Sequence, residues 1–208
     1  MVMLSRGVLV MVALLNLSLT GTETERALAM AQWPHTDAER VQFHDPYLTA
    51  VGANLSPLSA TPSVIQIDVT TELRRLELMA EEHVRAGEWF GRGGSADVDA
   101  AMKTWRDVVA IEAHLQLQGG CSAAVDASSC TPVVPPTDIS IDGVASVRAQ
   151  PALRPLWYAR SGTSPLPLGN VAEAKFAATA IGKSRRTVHV IVEGRELAHA
   201  VIDFAALE

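Results

Sequence analysis

The sequence predicts an α+β chain: an N-terminal helical hairpin followed by an antiparallel β-sheet or small β-sandwich, with one disulfide at the junction. Three observations lead there. Apolar side chains recur at three-to-four spacing in two blocks divided by glycines, between Thr70 and Gly119. Beyond Pro136 the apolar and polar positions alternate in short runs set apart by turn residues. Cys121 and Cys130 stand close together between the two regions.

The chain starts with Arg6, then the apolar run Val8-Leu9-Val10-Met11-Val12-Ala13-Leu14-Leu15, continuing to Leu19. A spanning helix needs about 20 apolar residues, which this run does not reach. A basic start, a short apolar core and small residues at cleavage spacing make the pattern of a secretory signal peptide. The small residues are Ala27-Leu28-Ala29 and Ala29-Met30-Ala31, so cleavage is expected after Ala29 or Ala31. The implied organisation is a signal peptide over 1–31 and an extended arm or linker over 32–63. A strand with the helical hairpin and disulfide loop covers 64–130, and an antiparallel β-subdomain covers 131–208. In the oxidising compartment that export implies, Cys121 and Cys130 are expected to bridge, stabilising the fold by roughly 2.5–3 kcal/mol.

Within the arm, Pro34, Pro46, Pro57 and Pro62 interrupt any periodicity and favour extended backbone. Val64-Ile65-Gln66-Ile67-Asp68-Val69 alternates as a strand does. Thr70 or Thr71 then caps a helix with Leu73, Leu76, Ala80 and Val84 along one stripe, ended at Gly87. Ser95 or Asp97 opens a second helix carrying Val98, Met102, Trp105, Val109, Glu112 and Leu115 on one face, stopped by Gly119-Gly120.

In the C-terminal part, Asp142-Gly143 is a two-residue hairpin signal. Residues 153–159, with Trp157 and Tyr158, read as a strand. Residues 161–170 read as a loop because of Gly162, Pro165, Pro167 and Gly169. The best strand pair is 187–192 with 197–204, joined by Glu193-Gly194-Arg195-Glu196. That turn brings His189 close to His199.

The formal net charge is −6 and the lysines and arginines are scattered, apart from Lys183-Ser184-Arg185-Arg186. This run is too small for a nucleic-acid surface, so no nucleic-acid partner is expected. No stable membrane span is expected once the signal is removed. Gly91-Arg92-Gly93-Gly94-Ser95-Ala96 has the spacing of a dinucleotide loop but follows a helix instead of a strand. No H-E-x-x-H or G-x-S-x-G occurs, and no cofactor is implied. The candidate binding residues are His189 and His199, as a cross-strand imidazole pair, and Trp157 and Tyr158, as aromatic platforms. The leading expectation is an exported periplasmic or secreted, non-enzymatic protein that binds another envelope component. The alternatives are a secreted hydrolase with an unrecognised site and a metal-binding module using His189 and His199.

Overall fold

The computed structural model describes residues 21–31, 47–50, 63–91, 95–116, 135–148, 150–158 and 166–207. Cys121 and Cys130 lie outside the described residues, as do Trp33 and Phe43 of the arm. The fold is α+β with antiparallel sheets. Its elements are α1 (Gly21–Ala31), β1 (Leu48–Ala50), β2 (Ser63–Thr70), α2 (Glu72–Arg85), α3 (Ser95–Met102) and β3 (Val108–Gln116). Then follow β4 (Thr137–Ile141), β5 (Ala152–Tyr158), β6 (Leu166–Ala177), α4 (Ala178–Ile181), β7 (Arg185–Val192) and β8 (Arg195–Asp203).

Alternation sets the sheets. A five-stranded sheet runs β1-β2-β3-β6-β5 and a three-stranded sheet runs β4-β7-β8, with every neighbouring pair antiparallel. On β3, Val109, Ile111, Ala113 and Leu115 are all fully buried, while Glu112 and His114 point to the other face. A bulge between Val64 and Gln66 puts Val64 on the same side of β2 as Ile67 and Val69. The inward residues of both sheets, among them Ile67, Ile111 and Phe176 from one and Ile139, Val190 and Ile202 from the other, form one apolar cluster. Each such side chain contributes about 1.5–3 kcal/mol by leaving water. After the Asp142-Gly143 turn the chain crosses between sheets. Ser146 bridges to Phe176, and the Val147 amide donates to the Lys175 carbonyl at 2.7 Å.

The helices make a second cluster. Thr71 caps α2, its hydroxyl accepting from the Arg74 amide at 3.2 Å. Leu76 and Ala80 of α2 pack with Val98 and Met102 of α3, with Phe90, and with Ala27 of α1. Gly91 has φ +76°, and a Cβ there would meet Val98 Cγ2 at 3.2 Å, so this glycine serves a tight inter-helix turn. Residues 21–31, assigned to the leader by sequence, are therefore helical here, and Ala27 is 3% exposed. No helix among the described residues is long and apolar enough to cross a membrane.

The expected helical hairpin does not form as read. Its second helix stops at Met102, and residues 108–116 become a central strand. Val109 and Leu115 fit both a helical and an alternating period, and the run is rich in β-branched residues. Hydrogen-bonding neighbours on both sides decide for strand. The switch is made at Asp107, which adopts φ +55°. Its carboxylate accepts from the Thr179 amide at 2.8 Å and the Thr179 hydroxyl at 3.1 Å. Its carbonyl accepts from the Ala178 amide at 3.0 Å.

Two smaller differences follow from edge geometry. The supposed loop 161–170 ends early, because β6 begins at Leu166. Pro167 is tolerated there since the β3 pairing ends at Gln116–Gly169, leaving a neighbour on one side only. The β7–β8 turn is two residues, Glu193 and Gly194, with φ +52° and +76°, where four were expected. A bulge restores the expected juxtaposition. Ile191 pairs with Glu196 and Val190 with Ala198, so Leu197 is the additional residue, and His189 sits directly opposite His199.

Candidate functional site

The first polar group is the one expected from sequence. His189 and His199 lie on the outer face of the three-stranded sheet with ring centroids 6.2 Å apart. His189 Nδ1 is 2.9 Å from Glu196 Oε2 and its Nε2 is 3.1 Å from Asp142 Oδ1. His199 Nδ1 is 2.8 Å from Glu196 Oε1. Carboxylate oxygens only accept, so it is the imidazolium form of His189 that can donate to both at once. Burial works against that charge, but the hydrogen bonds and charges of Glu196 and Asp142 outweigh it and raise the pKa above the ordinary 6.5. Hydrogen bonds from His199, then from His189, hold Glu196 below the usual carboxylate range. The two histidines, Glu196 and Asp142 thus form one charge network on this face.

A pH dependence follows. A raised histidine pKa contributes stability that is complete below about 6.5 and is lost as pH rises through the higher folded-state value. His189→Gln is expected to lower the thermal midpoint by roughly 1–3 °C at pH 5.5, and by progressively less above neutrality. Scanning calorimetry of both proteins from pH 5.5 to 9 checks this. A constant difference would refute the charge network.

Trp157 and Tyr158 lie elsewhere. They close β5, opposite Pro167 and Leu166, in the five-stranded sheet and not in the sheet of the two histidines.

The second polar group was not anticipated. On the five-stranded sheet, Asp68, Glu112 and Glu173 are directly opposite one another on β2, β3 and β6. His114 stands one step along the same face of β3. Its Nε2 is 3.0 Å from Asp68 Oδ2 and 3.9 Å from Glu112 Oε2. Arg154 Nη2 reaches Glu112 Oε2 at 2.5 Å, Lys175 reaches Glu173 at 3.4 Å, and the Gln66 amide donates to Asp68. Trp105 roofs Lys175, with the ammonium 4.4 Å from the ring centroid. The signal for this group was the i, i+2 spacing of Gln66 and Asp68, and of Glu112 and His114. It is legible only if residues 108–116 are read as a strand.

An open cleft of about 310 Å³ is lined by Pro136, Thr137, Asp138, Gln150, Pro151, Ile191 and Gly194. Its one hydroxyl, on Thr137, donates to the Pro135 carbonyl at 3.0 Å, and no histidine or lysine lines it. No protein-family model, curated protein or solved structure matches the chain.

Proposed function

We propose that the chain is an exported, non-enzymatic protein that binds another envelope component by accepting an extended segment of it alongside β8. The carrying observation is the open edge of the three-stranded sheet. β8 is nine residues long, contains no proline, and has no strand on its outer side among the described residues. The other outer strands are poorer templates. β1 has three residues, β4 has five, and β5 contains Pro155, which lacks a donor. Strand addition draws affinity from main-chain hydrogen bonds and selectivity from side chains. Val201, 64% exposed on β8, offers an apolar contact for an incoming side chain.

Export rests on the apolar leader over residues 8–19. Because Ala27 packs among the helices, processing after Ala29 or Ala31 would remove α1 from that cluster. The proposal therefore places processing ahead of α1.

The test is affinity purification of the full-length chain, tagged at its C-terminus, from the envelope fraction of cells that make it. Wild type is expected to recover one specific protein. Val201→Lys, which adds the kind of charge that guards natural edges, is expected to lose at least about tenfold of it while melting normally. N-terminal sequencing of the same sample is expected to begin no later than Gly21. Recovery of the same protein by both chains, recovery of none, or an intact Met1 in the soluble cytoplasm overturns the proposal.

A further inference from the structure

We propose that Asp68, Glu112 and His114 form a binding site for a divalent first-row transition-metal ion, of which Zn²⁺ and Mn²⁺ are the representative probes. One donor atom from each residue lies within 4.8 Å of the other two. The expected separation around a tetrahedral ion is about 3.3 Å, and His114 and Asp68 already stand at 3.0 Å. One imidazole with two carboxylates is a donor set suited to such ions.

Two features of the site go beyond a set of nearby acids. First, the backbone register forces Asp68, Glu112 and Glu173 into one row across three strands, and like charges directly opposite one another destabilise a sheet. Second, His114 Nε2 is shielded from solvent and makes no aligned hydrogen bond among the described residues, despite its nearness to Asp68. If Nε2 carries a proton, that donor goes without an aligned acceptor. If it carries a lone pair, it faces two anions. A cation seated between Nε2, Asp68 and Glu112 satisfies the lone pair and neutralises the row together.

The protein already supplies partial compensation, which sets how the ion would enter. Arg154, 55% exposed, holds Glu112. Its side chain is free to swing outward as Glu112 closes on the ion. The donors sit on β2 and β3, paired strands of the sheet, so little backbone movement is needed. Binding uses the lone pair of the His114 imidazole and the two carboxylates as donors. The inference does not depend on the β8 proposal, because the residues lie on the other sheet.

The experiment is isothermal titration of the chelator-stripped full-length protein with ZnCl₂, and separately with MnCl₂, at pH 7.5. One ion per chain is expected for at least one of the two metals. His114→Ala and Asp68→Asn are each expected to weaken it by at least about tenfold, since removing a ligand loses no less than removing its supporting contacts does. His189→Ala is expected to leave binding unchanged. Asp68→Asn preserves shape, so it keeps the test valid if His114→Ala fails to fold. Absence of binding by wild type up to millimolar ion overturns the inference and leaves a plain ion-pair cluster. Binding lost in His189→Ala and retained in Asp68→Asn overturns it in favour of the other histidine pair.

Discussion

Phe176→Ala is expected to lower the unfolding free energy by about 3–5 kcal/mol, the usual loss for a buried phenylalanine. Phe176 is fully buried on β6, pairs with Val109, and bridges to Ser146 where the chain passes between sheets. Its ring belongs to the apolar cluster to which both sheets contribute, so truncation leaves a void that neither can close alone. For a chain of this size the midpoint should fall by about 10 °C. Urea unfolding measures it directly, with Val201→Ala as the exposed comparison, expected to change stability by no more than about 0.5 kcal/mol. If the two variants cost the same, the shared core is wrong.

Glu77→Gln is expected to stabilise the protein above neutral pH and to leave it nearly unchanged near pH 5. Glu77 is 4% exposed on α2. Burial pushes its carboxyl up to about 7, against the pull of Arg74, whose Nη1 is 3.6 Å away. A carboxyl raised from 4.5 binds a proton more tightly when folded. Its contribution is therefore complete below about 4.5 and lost as pH rises through about 7. Glutamine does not titrate, and Arg74 keeps the field of Glu81. The difference between variant and wild type should grow between pH 5 and 8 to about 3 kcal/mol at most. Parallel urea curves at each pH check it. A difference that stays flat across this range would mean that Glu77 is charged throughout.

The β7–β8 pair was legible because Val188, Val190 and Val192 alternate with polar neighbours, and Glu193-Gly194 supplies a tight turn. All of that information is local. The His189–His199 pairing came with it, although the turn is shorter and the bulge was unforeseen. β3 was not legible, because its apolar residues satisfy two periods and only strands distant in sequence choose between them. The same ambiguity concealed the Asp68, Glu112 and His114 group. Those residues meet through the register between β2 and β3, with two helices intervening in the chain. Glu77 was hidden differently. Its charge suggests solvent, and the buried polar side of α2 reveals itself only once Tyr47 is placed beneath Arg74, with the guanidinium 5.0 Å from the ring centroid.

The unpaired position at Leu197 gives the C-terminal hairpin one residue of slack. Were the chain shorter by that residue, the pair Ile191–Glu196 would be followed directly by Val190–Ala198, and Ala198, Ala200 and Ile202 would keep the side they now occupy. Natural variants should therefore tolerate the loss of a residue at this point of the strand.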